Sequence, residues 1–169
     1  MPKENTKKSF LSYYDEFKDK IYNYLWYRVG FNQAIAEDLT SEIFIKAFNN
    51  FEKFDQERSF QAWIYRIAHN HLVNHYRNNK HELELDSAKL VFEEPLKQVE
   101  MSIDHQKILK HIDNLPRSHQ QIIKLRYIDD LGFGEISEIL EKEEGAIRTQ
   151  LSRAMAFLRK KLVINDLYE

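Results

Sequence analysis

The sequence predicts an all-α protein, built as two small helical domains joined by a flexible linker. Three observations lead there. The chain has 169 residues, with only four Gly and three Pro, so few breakers interrupt its local structure. Long stretches repeat apolar residues at spacings of three and four, the period of a helix that buries one stripe. No segment alternates at a period of two, and in the middle of the chain the helical period fades while acidic residues accumulate.

The elements follow in order. Phe10, Tyr14, Phe17, Ile21, Tyr24 and Leu25 form the stripe of a first helix over 8–29, with Gly30 as its stop. Asn32 is placed to cap a second helix, in which Ile35, Leu39, Ile43, Phe44, Ala47, Phe48 and Phe51 repeat. "FEKFDQERS" breaks the period, and a third helix runs from Ser59 to Lys80. From His81 to Glu100 the chain reads as an exposed tether, with a helical turn around "SAKLVF" and Pro95 beyond it. Ser102 is a candidate cap for a helix carrying Ile103, Ile108, Leu109 and Ile112. Pro116 suits the first position of the next helix. "LGFGEISEILEKEEGAIRTQLSRAM" then gives a short helix, a tight connection containing Gly145, and a long final helix. The domains so expected are 1–80, an acidic linker 81–101, and 102–169.

Composition narrows the function. The formal charge is −2, which does not announce a nucleic-acid binder, but the distribution is uneven. Residues 1–80 carry 12 Lys/Arg against 10 Asp/Glu, residues 81–103 carry 2 against 6, and residues 104–169 carry 11 of each. With no cysteine there is neither a disulfide framework nor a thiolate metal site. No apolar run approaches the roughly 18 residues of a membrane span, and the N-terminus lacks the apolar core of a secretory signal. A cytoplasmic protein without membrane insertion is the expectation.

The strongest constellation surrounds Gly145. From Ala146 to Leu162 there are five cations and no carboxylate. Ile147, Leu151, Ala154, Met155, Leu158 and Leu162 share an apolar arc, whereas Arg148, Thr149, Ser152, Arg153, Ala156, Arg159 and Lys160 fill the other side. Preceded by a short helix with Ile136, Ile139 and Leu140 inward, this is the helix-turn-helix pattern. Its second helix fits the major groove, where early residues reach base edges and flanking cations meet phosphates. Arg148 and Arg153 suit either bidentate bonds to guanine or phosphate clamping, and Thr149 and Ser152 are short enough to allow close approach. An ordinary helical hairpin with a solvated basic face is the plainer explanation. The one-signed face, continued by Lys161, favours DNA.

The third helix, 59–80, also lacks carboxylates. Arg66, Asn70, Val73, Asn74 and Arg77 align on one face, opposite Phe60, Ile64, Ile67, Ala68 and His71. A row of Arg and Asn suits phosphates and base edges. Phe60 reads as core, while Trp63 falls near the polar face and could stack an unpaired base, worth roughly 1–3 kcal/mol. In "AEDLTSEIFIKAF", Asp38, Ser41, Glu42 and Lys46 form a charged outer face that by itself is only solvated surface. His71 and His75 are four apart, but "HLVNH" lacks the Glu of a zinc protease and a third ligand, so they read as satisfied core histidines. No nucleophile motif, glycine phosphate loop or paired carboxylate stands out. An enzyme, a metal site and a cofactor are therefore not expected.

The two lobes together resemble the bacterial extracytoplasmic-function sigma factors, small two-domain members of the sigma-70 family. "AEDLTSEIFIKAF…F…FQAWIYRIAHN" is similar to region two, and "LPRSHQQIIKLRYIDDLGFGEISEIL…EGAIRTQLSRAMAFLRKKL" to region four. The resemblance implies a region-two helical bundle and a region-four helix-turn-helix. It further implies a dissociable subunit that directs core RNA polymerase to promoter DNA and helps open it. Asp38, Ser41 and Glu42 would face the clamp helices of the largest polymerase subunit. Arg66, Asn70, Asn74 and Arg77 would lie along the minus-ten element, and the 55–62 loop with Trp63 would help capture a flipped base. Arg148, Thr149, Ser152 and Arg153 would read the minus-thirty-five element. The acidic tether would thread toward the RNA exit path. Many relatives are held silent by an anti-sigma factor, which makes such a protein a candidate partner.

The chain departs from the family at Ser41, where Gln is common, at Asn74, where an acid is frequent, and at Glu141 and Lys142. There a glycine and an apolar residue are usual, so either the turn is reshaped or the preceding helix is longer. A stand-alone helix-turn-helix regulator is the competing account, but it gives the 59–80 helix no task. A nucleic-acid-processing enzyme would need a metal or carboxylate cluster.

Overall fold

A computed structural model describes residues 4–85 and 102–166. These residues are helical with short connections, and no strand occurs among them. The chain divides into two compact units, Met1–Lys97 and Gln98–Glu169.

The first unit holds α1 (Glu4–Trp26), α2 (Gln33–Asn50) and α3 (Phe60–Leu85), with a 3-10 turn at Phe51–Lys53. Each of the three helices packs against the other two. Their shared core is Phe10, Phe17, Ile21, Tyr24 and Leu25 from α1, Ala36, Leu39, Ile43, Phe44 and Ala47 from α2, and Phe60, Ile64, Tyr65, Ala68 and Leu72 from α3. The stripe in the first helix is as expected except at Tyr14, which is exposed. Gly30 does end the winding: it takes φ +63°, and Phe31 follows at +61°. The α1 helix stops earlier than expected, at Trp26, where the bonding leaves the α pattern: the Arg28 amide donates three residues back to the Leu25 carbonyl and the Phe31 amide five back to the Trp26 carbonyl. Trp26 Nε1 in turn donates to the Phe31 carbonyl at 3.1 Å. Asn32 caps α2 as its side chain suggested, accepting from the Ile35 amide at 3.0 Å. The α3 helix continues five residues beyond Lys80, to Leu85. The "SAKLVF" turn and Pro95 lie outside the described residues.

The second unit holds α4 (Ile103–Asp113), α5 (Arg117–Ile123), α6 (Phe133–Leu140) and α7 (Glu144–Asp166). Ser102 caps α4 through its hydroxyl, which accepts from the His105 amide at 3.2 Å. Leu109 and Ile112 are buried, but Ile103 and Ile108 are not. Of the four apolar residues that α4 carries, only Leu109 and Ile112 join the core where α4 packs on α5 and α7. Pro116 sits one residue before α5 in an extended conformation, and its carbonyl accepts the first helical bond, from Gln120. The winding then loosens into a π-turn, Lys124–Ile128, in which the Asp129 amide reaches back five residues to the Lys124 carbonyl. Lys124 is nearly buried and donates to Asp113 Oδ1 at 2.9 Å. The core is closed by Ile122, Leu125, Leu131, Ile136, Ile139, Ile147, Leu151, Ala154 and Leu158.

Candidate nucleic-acid interface

Helices α6 and α7 form the hairpin expected around Gly145, but its turn lies earlier than expected. The α6 helix ends at Leu140, and the reversal is made by Glu141, which takes a left-handed conformation at φ +53° and ψ +45°. The Lys142 amide then closes back on the Ser137 carbonyl at 3.2 Å. Gly145 is already the second residue of α7. The turn is reshaped, with a carboxylate residue in the conformation usually left to glycine.

Along α7, Ile147, Leu151, Ala154 and Leu158 are buried against α5 and α6, while Met155 and Leu162 are half-buried. That packing fixes the helix rotation. Arg148, Thr149, Ser152, Arg153, Ala156, Arg159 and Lys160 are consequently all exposed. The face is less uniformly positive than its composition suggested. Arg148 donates to Glu144 Oε1 at 3.0 Å, one turn earlier, and its guanidinium lies over the Phe133 ring, 4.2 Å from the centroid. Arg126 shares that ring at 5.4 Å and donates to the Leu131 carbonyl. Thr149 donates to the Gly145 carbonyl. Glu144 lies just outside the carboxylate-free run that begins at Ala146, and its i,i+4 spacing to Arg148 is legible in the sequence. Phe133 carries no such local signal, because its partners come from two other elements.

In the first unit, Arg66, Asn70, Val73, Asn74 and Arg77 are all exposed on α3, forming one continuous row. Arg77 donates to the Asn74 side-chain oxygen. Phe60 is core, as expected. Trp63 is half-buried at the edge of an aromatic cluster, with ring centroids 4.8 Å from Phe54, 5.5 Å from Phe60 and 6.4 Å from Phe51. Tyr13 stacks on Phe60 at 4.0 Å. The preceding loop is organised by its own bonds. Asp55 accepts from the Glu57 amide through its carboxylate and from the Arg58 amide through its carbonyl. Ser59 caps α3 by accepting from the Ala62 amide at 3.2 Å.

On α2, Asp38, Ser41 and Glu42 are exposed. Ser41 also borders an open apolar groove of ≈ 610 Å³ lined by Phe10, Leu11, Tyr14, Phe44, Ile45 and Phe48. Glu42 is not simply solvated: its Oε2 lies 2.6 Å from His71 Nε2 on α3. His71 therefore has a partner at the rim of the bundle rather than in its core, and half-buried His75 pairs with Asn79 at 3.1 Å. Among the described residues no group of three metal-ligating side chains comes together. A different histidine is electrostatically unusual. Burial of His69, followed by the positive charge of Arg28, holds its pKa below the ordinary 6.5.

Comparison with known proteins fits both units. Residues 13–82 match the model of Sigma-70 region 2, and residues 105–158 match that of Sigma-70 region 4. The ECF RNA polymerase sigma factor SigW of Bacillus subtilis is 36% identical, over 95% of this chain and 92% of its own length. The chain belongs to the ECF sigma factors. A second relative, the ECF RNA polymerase sigma factor BldN of Streptomyces coelicolor, is 34% identical over 88% of this chain, which spans only 58% of BldN. A solved sigma factor, RpoE of Bartonella quintana, crystallised with the anti-sigma factor NepR, has the same fold. Its TM-score is 0.78 at 19% identity, covering 93% of this chain and 98% of that one. ECF sigma factors are transcription-initiation subunits of RNA polymerase rather than enzymes. No helix among the described residues of this one is long and apolar enough to cross a membrane.

Proposed function

We propose that this sigma factor directs core RNA polymerase, in the cytoplasm, to promoters with two separately read elements, and that its two units divide the work. The observation that carries this reading is the exposed face of α7, which buried Ile147, Leu151, Ala154 and Leu158 turn outward. On that face, Arg148, Thr149, Ser152 and Arg153 read the upstream element, with Arg159 and Lys160 meeting phosphates. In the first unit, Arg66, Asn70, Asn74 and Arg77 follow the downstream element. Trp63 and its loop receive a base released by strand opening, so that stacking offsets part of the cost of unpairing. Asp38, Ser41 and Glu42 meet the polymerase.

The segment between Leu85 and Ser102 serves as the tether. Joining two half-contacts makes the second binding event intramolecular, so each can be modest alone. The near-neutral chain binds random DNA weakly, since that mode is driven by phosphate neutralisation. An anti-sigma protein, such as holds the Bartonella relative, is a further expected partner.

Run-off transcription with purified core polymerase and the intact chain tests the proposal. Promoter-specific starts that depend on the chain are the expected result. Promoter binding without polymerase and no specific start would instead indicate a stand-alone regulator.

A further inference from the structure

We propose that Phe133 is a positioning residue for upstream-element recognition. Its ring, shared by Arg126 and Arg148, holds both guanidiniums in place before DNA arrives, and Glu144 fixes the second restraint on Arg148. The inference rests on the reading of α7 as the helix that recognises DNA.

An arginine on an exposed helix face samples many rotamers, and ordering it costs up to about 2 kcal/mol of side-chain entropy. Arg148 is half-exposed, at 59% of its side chain, yet it is held from two directions: the Glu144 carboxylate at 3.0 Å and the Phe133 ring at 4.2 Å. Arg126 approaches the same ring from the π-turn and is itself tied to the Leu131 carbonyl. Each guanidinium also has a carboxylate one turn away, Asp130 at 3.8 Å for Arg126 and Glu144 at 3.0 Å for Arg148, and the electron-rich ring attracts both cations, from two different elements. Phe133 opens α6, and its backbone placement is set by buried Leu131 and Ile136 on either side. Substituting its ring chemistry therefore need not disturb the core. The pair so held suits adjacent anionic or acceptor groups of one DNA stretch, a phosphate oxygen beside a base edge.

The test is a double-mutant cycle on holoenzyme assembled from core polymerase and the intact chain. Promoter affinity is measured for native protein, for pentafluorophenylalanine at position 133, for Phe133→Leu, for Arg148→Ala and for the combinations. Pentafluorophenylalanine keeps the shape of the ring but reverses its quadrupole. It is expected to weaken promoter binding about three- to fivefold with an unchanged melting temperature, and to have a clearly smaller effect once Arg148 is Ala, when only Arg126 is left for the ring to hold. Phe133→Leu should behave alike, and Phe133→Tyr should restore binding to within about twofold. Full binding with the fluorinated ring, or an undiminished loss in the Arg148→Ala background, overturns the proposal. Arg153→Ala is the control for the underlying reading. If neither it nor Arg148→Ala alters upstream preference, then recognition by α7 itself fails. If they do and the ring substitution does not, only the positioning role fails.

Discussion

Single residues carry three consequences that solution experiments can reach. Glu141 holds a left-handed backbone at the hairpin reversal, where a side chain bearing Cβ is strained by about 1–2 kcal/mol. Glu141→Gly relieves it at the expense of a more mobile unfolded chain. The net expectation is a gain of about 0.5–1 kcal/mol, read as a melting temperature a few degrees higher with α7 function intact. His69 is kept neutral by burial and by Arg28. Its folded pKa lies below the unfolded value of 6.5, so the unfolded chain takes up the proton first. Stability present above pH 6.5 is therefore lost as pH falls through the folded value. Urea midpoints between pH 7.5 and 5 should decline, and His69→Gln should flatten that decline; parallel curves for the two proteins would contradict it. Arg153→Ala should weaken promoter binding by roughly 1–3 kcal/mol, concentrated at the upstream element if it reads a base. Uniform weakening across sequences would make it a phosphate contact.

At the scale of elements, the buried end of Lys124 shows how one polar side chain is accommodated. It is 9% exposed, and its ammonium has the Asp113 carboxylate at 2.9 Å, joining the end of α4 to the π-turn. Removing the acid leaves a nearly buried cation unpaired. Asp113→Ala should cost about 1–2 kcal/mol, less than for a fully buried pair because Asp113 is itself half-exposed. Lys124→Met should be close to neutral, and denaturant titration separates the two. The elements were legible wherever local chemistry decided them. Asn32 and Ser102 cap as their amide and hydroxyl groups suggested, and four of the six residues of the α7 stripe are buried where the 100° spacing placed them. Other features depend on partners distant in sequence. Ile103 and Ile108 share the period of Leu109 and Ile112, yet only the last two find a neighbouring helix. The π-turn has no periodic signature, and the pairing of His71 with Glu42 spans 29 positions. For the candidate interface, the row on α3 could be read from spacing alone, whereas the ring beneath Arg148 could not.

For the whole molecule, the division into two compact units, each with its own set of buried apolar residues, predicts that they are separable. Fragments 1–97 and 98–169 made alone should each give a helical spectrum and a cooperative thermal transition. Amide resonances should overlay those of the intact chain; a collapsed fragment would show that its core needs the rest of the protein. The carboxylate of Glu144 has its own bearing on how such a protein explores a chromosome. An arginine already satisfied at home gains little by exchanging that partner for a lone phosphate on arbitrary duplex, and more by exchanging it for a base edge offering two acceptors. On the proposed reading of α7, mismatched sequences would then be visited briefly and released.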